Sequence, residues 1–140
     1  MDYRKFGDTY VVRLDRGEEI VTQLKALAAK EDIRLASVQA LGATDDFTVG
    51  VYNTDTKVYA ANHFTGPHEI VSLTGTLDRM DGQPYLHLHL SAGDSQGKVF
   101  GGHLNEARIS ATCEMVVRCI DGQLDRAKDE TTGLNLFRFL

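Results

Sequence analysis

Residues 85–91 alternate strictly, as Tyr-Leu-His-Leu-His-Leu-Ser, between leucine and a polar or aromatic side chain. Because successive side chains of a β-strand point to opposite faces of its sheet, this segment is predicted to be a strand with one apolar face. We expect the leucines to enter the core and His87 and His89 to share the other face, about 6.6 Å apart along the strand. At that separation two imidazoles can converge on one metal ion.

Most of the remaining chain is also predicted to be β-strand. Six further segments are predicted to be strands: residues 10–14, 33–41, 47–51, 70–76, 109–119 and 134–140. In the segments 47–51, 70–76 and 109–119, apolar residues alternate with polar or small ones. Asp81-Gly82 suits a tight hairpin turn. One clear helix is expected over residues 17–30, with Asp15 as N-cap and Glu18 completing a capping box. This pattern predicts an α+β fold, in which a largely antiparallel sheet carries one principal helix on one face.

The composition indicates a single soluble domain over residues 1–140. Hydrophobic residues make up 42% and charged residues 25% of the chain, and no apolar run approaches the roughly 20 residues that span a bilayer. The first residues lack the apolar core of a signal peptide, so a cytoplasmic location is expected. The net charge of −5 and the absence of any Lys/Arg cluster argue against a free-standing DNA-binding protein.

The two cysteines, Cys113 and Cys119, lie in one predicted strand, which would place their Cα atoms about 20 Å apart. A disulfide requires about 4.4–6.8 Å between Cα atoms. The cysteines are therefore predicted to be free thiols, buried in the core.

A third histidine can be placed near the first two by hairpin geometry. Gly93-Asp-Ser-Gln-Gly97 is rich in turn formers and is predicted to be a loop centred on Ser95. In that register His87 pairs with His103, and His89 pairs with Gly101. Since a slip of one residue would turn His103 to the other face, the prediction is specific.

Three neutral imidazoles on one wall are typical of a zinc site with an open fourth position for water or a small anionic ligand. The alternative is that these histidines only form hydrogen bonds at a subunit interface. His63 and His68 flank Gly66-Pro67 and are predicted to be solvated loop residues. Glu69 and Glu114 are candidate general bases for metal-bound water. Each could equally hold a histidine ring in orientation or be an ordinary surface charge, and the surface charge is favoured for each taken singly.

Four segments together resemble the PPC (plants and prokaryotes conserved) domain. They are, in order, Glu69-Ile-Val-Ser-Leu-Thr-Gly75, His87-Leu-His89, Gly101-Gly-His-Leu104 and Ala111-Thr-Cys-Glu-Met-Val116. The resemblance extends from about residue 10 to residue 120 and is closest to the stand-alone prokaryotic form. It implies an α+β fold that assembles as a homotrimer, and it supports a metal or small ligand at His87, His89 and His103.

In plants this domain follows AT-hook DNA-binding segments and mediates assembly with itself and with other nuclear proteins, whereas no AT-hook is present in this sequence. The plant partner-contacting stretch corresponds here to Gly66, Pro67, His68, Glu69, Ile70 and Val71, with Pro67 and His68 in place of a basic-aromatic pair.

Three functions are compatible with these patterns. The favoured one is a trimeric binding or scaffold protein whose three histidines hold zinc or a small anionic ligand. A DNA-binding or transcription-associated role is the second. A zinc-dependent hydrolase or lyase, with Glu69 or Glu114 as the base, is the third.

Overall fold

The computed structural model describes all 140 residues, which form eight strands and one helix. In chain order these are β1 (Asp2–Phe6), β2 (Thr9–Asp15), α1 (Ile20–Lys30), β3 (Ala36–Asn53), β4 (Val58–Met80), β5 (Gln83–Gly93), β6 (Val99–Cys119), β7 (Asp125–Lys128) and β8 (Asn135–Arg138). The structure contains no helix that is both long enough and apolar enough to cross a membrane.

Six strands form one antiparallel sheet in the order β1-β2-β6-β3-β4-β5. Strand β5 also pairs with the first residues of β6, so that β3, β4, β5 and β6 close into a ring. Helix α1 packs against β5 and β6. The predicted fold class, a dominant antiparallel sheet with a single helix, is confirmed.

The apolar face of β5 enters the core as the alternation predicts. Leu88 and Leu90 are buried, and Leu86 is partly buried against the same cluster. From the helix, Ile20, Leu24 and Leu27 are also buried in this core. Burying one leucine or isoleucine side chain contributes about 1.5–3 kcal/mol, so these residues hold the helix on the sheet.

The helix begins three residues later than predicted. Its N-cap is Glu19, whose carboxylate accepts hydrogen bonds from the backbone N–H groups of Val21 (2.9 Å) and Thr22 (2.7 Å). Asp15 is not the N-cap, because it still pairs with Thr112 at the end of β2. Glu18 reaches back to the Asp15 N–H (2.8 Å), which reproduces half of a capping box without starting a helix.

Gly66 and Pro67 lie inside β4, so the loop predicted around them is wrong. Thr65 pairs with Asp46 and His68 pairs with Thr44, which leaves Gly66 and Pro67 opposite the single residue Asp45. This is a β-bulge, where a strand can accommodate a proline without losing a ladder hydrogen bond. Gly66 has a φ of +93°, a conformation that side-chain-bearing residues rarely adopt.

The Asp81-Gly82 turn is confirmed, because Met80 pairs with Gln83 across it and both turn residues have positive φ. Residues 36–41 of the predicted strand 33–41 and residues 47–51 belong to one continuous strand, β3, rather than to two, whereas residues 33–35 precede it. Strand β1 was not predicted.

The two cysteines are free, as predicted. Cys113 is buried, and burial raises the pKa of its thiol to about 12, whereas Cys119 is only partly buried.

The C-terminal strands β7 and β8 form a separate hairpin that packs on the outside of β4. Arg126 anchors it, since its Nε and Nη2 donate to the buried Asp78 carboxylate at 2.6 and 2.8 Å. The guanidinium also lies over the rings of Tyr85 (4.3 Å) and Phe137 (4.4 Å). Of the predicted strand 134–140, residues 135–138 are in β8, and its partner β7 was not predicted.

Candidate metal centre

His87 and His89 on β5 and His103 on β6 lie together on the outer face of the sheet. Their convergence depends on the close pairing of β5 with β6. A Cβ at Gly101 of β6 would lie 2.7 Å from the carbonyl oxygen of Leu90 on β5, so glycine permits this spacing. The sequence thus places the histidines by alternation within β5 and by strand pairing between β5 and β6.

The observed register between β5 and β6 is displaced by two residues from the predicted one. His89 pairs with His103, Ser91 pairs with Gly101, and His87 pairs with Thr76 of β4 instead of with His103. The loop is displaced because Asp94 closes it: its side chain accepts hydrogen bonds from the backbone N–H groups of Gln96 and Lys98. Since the displacement is even, His103 stays on the predicted face.

The three imidazole rings form a compact triangle. Ring centroids are separated by 5.3 Å (His87–His89), 5.4 Å (His87–His103) and 5.8 Å (His89–His103). One nitrogen of each ring lies within 4.8 Å of one nitrogen of the other two. Ligand nitrogens of a tetrahedral zinc ion are about 3.3 Å apart, so small side-chain rotations would bring all three into contact with one ion. The residues present therefore fit a metal.

The electrostatics of the cluster favour the neutral form of two of its imidazoles. Burial lowers the pKa of His87, and the neighbouring His89 and Arg126 lower it further. Burial is also the largest cause of the lowered pKa of His103, followed by His87 and His89. None of the three rings forms a hydrogen bond to another protein group. Neutral, unpartnered ring nitrogens are the form that binds metals.

A cavity of about 710 Å³ opens in front of the histidines. Tyr52, Tyr59 and Tyr85 contribute to its lining, and the C-terminal hairpin adds Leu136 and Phe137 among others. The hairpin wall was missed from the sequence; the apolar residues of segment 134–140 indicated a strand there, but nothing in the sequence indicated where it would pack.

The candidate bases are not brought to this cavity. Glu114 pairs with Arg13 and Leu41, and about 36 Å of extended strand separates it from His103. Glu69 pairs with Gly93, about 13 Å further along β5 than His89. No aspartate or glutamate lines the cavity.

The remaining histidines are partnered within the strands. His63 Nε2 lies 2.7 Å from the Asp46 carboxylate, and His68 Nδ1 lies 2.8 Å from the carbonyl oxygen of Gly66. The His68 ring packs edge-on against Phe47 and is partly buried. Both are strand residues rather than the loop residues that the sequence suggested.

In the segment that corresponds to the plant partner-contacting stretch, side chains alternate between core and surface. Ile70 is buried in the core, where it is unavailable to a partner, whereas Val71 is 57% exposed. Pro67 and Glu69 are exposed as well, and Gly66 and His68 are partly buried.

Comparison with known proteins defines the class. The sequence model of the Plants and Prokaryotes Conserved (PCC) domain matches residues 1–121. The chain therefore belongs to this family, the one also abbreviated PPC, as its motifs indicated.

Solved structures of similar proteins share the whole fold. A presumed DNA-binding protein from Bacteroides thetaiotaomicron is 33% identical, with a TM-score of 0.96 over 99% of this chain and 96% of that one. A metal-containing protein from Archaeoglobus fulgidus is 33% identical, with a TM-score of 0.89 over 99% of both chains. A plant- and prokaryote-conserved protein from Pyrococcus horikoshii is 31% identical, with a TM-score of 0.86 over 99% of this chain and 96% of that one.

Among curated proteins, the bifunctional protein GlmU of a Synechococcus strain is 30% identical over 127 residues, which cover 89% of this chain. The chain spans about a fifth (19%) of the length of this relative.

Proposed function

We propose that this protein is a metal-binding module in which His87, His89 and His103 hold a zinc ion and leave a fourth position open to water or a small anionic ligand. The observation that carries the proposal is the convergence of three unpartnered imidazoles within 4.8 Å. The description of the Archaeoglobus fulgidus neighbour as a metal-containing protein supports it.

When bound, zinc would supply a positive charge and a site for exchangeable ligands. The chain's own residues bind the ion and shape the cavity in front of it. Because neither Glu69 nor Glu114 reaches this cavity, no side chain is placed as a general base, and binding is favoured over hydrolysis or lyase chemistry.

Metal analysis of untagged protein tests the proposal. Protein purified without a His tag and equilibrated with zinc is expected to retain one zinc per chain after dialysis, and His89→Ala is expected to retain almost none. His63→Ala is the matched control, because it removes a strand histidine outside the cluster and should keep the metal. Wild-type protein without stoichiometric zinc would refute the proposal.

The module is proposed to act as a homotrimer. The family resemblance implies this state, and the outer sheet face carries exposed apolar side chains that support it: Val11, Leu41, Val71 and Val116. Light scattering is expected to give three times the 15.5 kDa mass of the chain. Leu41→Asp should dissociate the assembly, and a monomeric wild type would contradict it.

DNA binding is the second candidate, because structural neighbours from Bacteroides thetaiotaomicron and Ralstonia eutropha are presumed DNA-binding proteins. The net charge of −5 opposes it. Fluorescence anisotropy with duplex DNA across a salt series decides the question, since binding that weakens steeply with salt would support this role.

A further inference from the structure

The cavity in front of the histidines has a chemically mixed lining. The three imidazoles contribute polar groups to it, and Leu136 and Phe137 of the C-terminal hairpin contribute apolar side chains. This hairpin lies outside residues 1–121, which match the family model. A ligand that contacts the histidines would therefore also contact an apolar wall that belongs to the C-terminal segment.

The charge of the cavity can be read from its lining residues. No carboxylate lines it, and the one charged residue, Arg126, is neutralised by the buried Asp78. Arg126 Nη1 also donates to the carbonyl oxygen of Asn135 at 2.8 Å, so no guanidinium nitrogen is left without a partner in the hairpin or in β4. Because imidazole binds a metal ion in its neutral form, a divalent ion held by the three histidines would be the only uncompensated charge in the cavity.

An uncompensated cation in a partly apolar cavity selects an anion and rejects a second cation. The volume of about 710 Å³ is within the 300–1,000 Å³ range of small-molecule sites, and it is far more than a lone acetate or chloride needs. The volume and the apolar lining therefore suit a ligand that combines a negative head with an apolar body.

We propose that the cavity binds a small organic carboxylate with an aromatic or similarly bulky apolar body. The carboxylate faces the histidine cluster, and the body packs against Phe137 and Leu136 and beside Tyr52 and Tyr59. This inference rests on the proposed metal function, because the metal supplies the charge that the carboxylate neutralises.

The apolar wall is preorganised for such contacts. The Arg126 guanidinium lies 4.4 Å from the centre of the Phe137 ring and only 3% of its side chain is exposed, so the aromatic ring rests on a buried, fixed support. Tyr59 is fixed as well, since its hydroxyl donates to Asn105 Oδ1 at 2.6 Å. Fixed aromatic groups lose little conformational entropy when a ligand binds.

Calorimetric titration of the zinc-loaded protein tests the proposal with three probes. 4-Phenylbutyrate carries both head and body, acetate carries the head alone, and 4-phenylbutylamine carries the same body with a cationic head. We expect 4-phenylbutyrate to bind at least about tenfold more tightly than acetate, because its aromatic body is buried on binding. We expect 4-phenylbutylamine not to bind.

Hairpin variants locate the contact. Phe137→Ala should weaken 4-phenylbutyrate binding about tenfold while leaving zinc content and acetate binding unchanged. Leu136→Ala provides a second test, because it removes an apolar residue of the wall but leaves the contact between the Phe137 ring and the Arg126 guanidinium intact. Phe6→Ala is the matched control, because Phe6 is an aromatic residue of β1, is 65% exposed and does not line the cavity.

The outcomes separate the two proposals. If zinc binds but 4-phenylbutyrate binds no more tightly than acetate, or equally tightly to wild type and both hairpin variants, the carboxylate proposal is overturned and the metal site stands. If zinc does not bind at all, the metal site fails, and the carboxylate proposal fails with it.

Discussion

The five histidines of this chain fall into two groups that differ in what their rings contact. His63 and His68 each have a protein partner, a carboxylate in one case and a backbone carbonyl in the other. His87, His89 and His103 have none, and they face one another across two paired strands. Both groups lie on strands, so position in the fold does not distinguish them. What distinguishes a candidate ligand set is convergence without satisfied hydrogen bonds.

The largest expected difference between the groups is in zinc affinity. His103→Leu should weaken zinc binding at least about a hundredfold, because loss of a direct ligand should cost no less than the 10–100-fold typical of groups that only orient ligands. His63→Leu should change it little. Competition titration with a chelating dye measures both constants, and equal losses in the two variants would erase the distinction between the groups.

Zinc should also stabilise the folded chain, and it should do so only through the cluster of His87, His89 and His103. At a free zinc concentration ten times the Kd, the free energy of unfolding should rise by about 1.4 kcal/mol. Urea unfolding with and without zinc measures this increase. It should persist in His68→Gln and disappear in His87→Gln, and an increase that survives His87→Gln would assign the metal to other residues.

Acid should destabilise the metal-free protein through the same cluster. The pKa values of His87 and His103 are below the value of 6.5 found in unfolded chains, so the unfolded state binds more protons as pH falls. The contribution of these two histidines to the free energy of unfolding is complete above about pH 6.5 and is lost as the pH falls towards their pKa values in the folded protein. Urea unfolding across this range should show the loss in wild type and a smaller loss in the His87→Gln/His103→Gln double variant. Identical pH dependence in both proteins would place its origin elsewhere.

The smallest effect is expected at the exposed hydrogen bond between the side chains of His63 and Asp46. Both side chains are about half exposed, and pairs of this kind contribute about 0.5 kcal/mol or less. His63→Ala should therefore lower the free energy of unfolding only slightly and leave the zinc content unchanged. A loss of several kcal/mol would mean that the partnered histidines are structural determinants rather than surface residues.

The sequence was most informative where one local rule sufficed. Alternation in residues 85–91 predicted both faces of β5, and Asp81-Gly82 predicted its turn. The loop after β5 was misplaced because Asp94 forms side-chain hydrogen bonds that turn-residue composition does not reveal. His103 nevertheless reached the site, since an even displacement preserves the face.

Features that depend on distant contacts could not be predicted. Glu19 became the helix cap because Asp15 remained paired in β2, and that pairing involves a strand about a hundred residues away. The Gly66-Pro67 bulge required the neighbouring strand to supply only Asp45 across from it. The hairpin wall of the cavity depends on the ion pair between Arg126 and the buried Asp78, which no local sequence pattern indicates.

The most direct test of the central claim is an anomalous difference map from crystals of zinc-equilibrated, untagged protein, with data collected on both sides of the zinc absorption edge. A single peak within about 2.0–2.1 Å of one nitrogen each of His87, His89 and His103, present only above the edge, is the predicted result. An equally well-resolved map without a peak among these three rings, or with the zinc bound at His63 or His68, would contradict it.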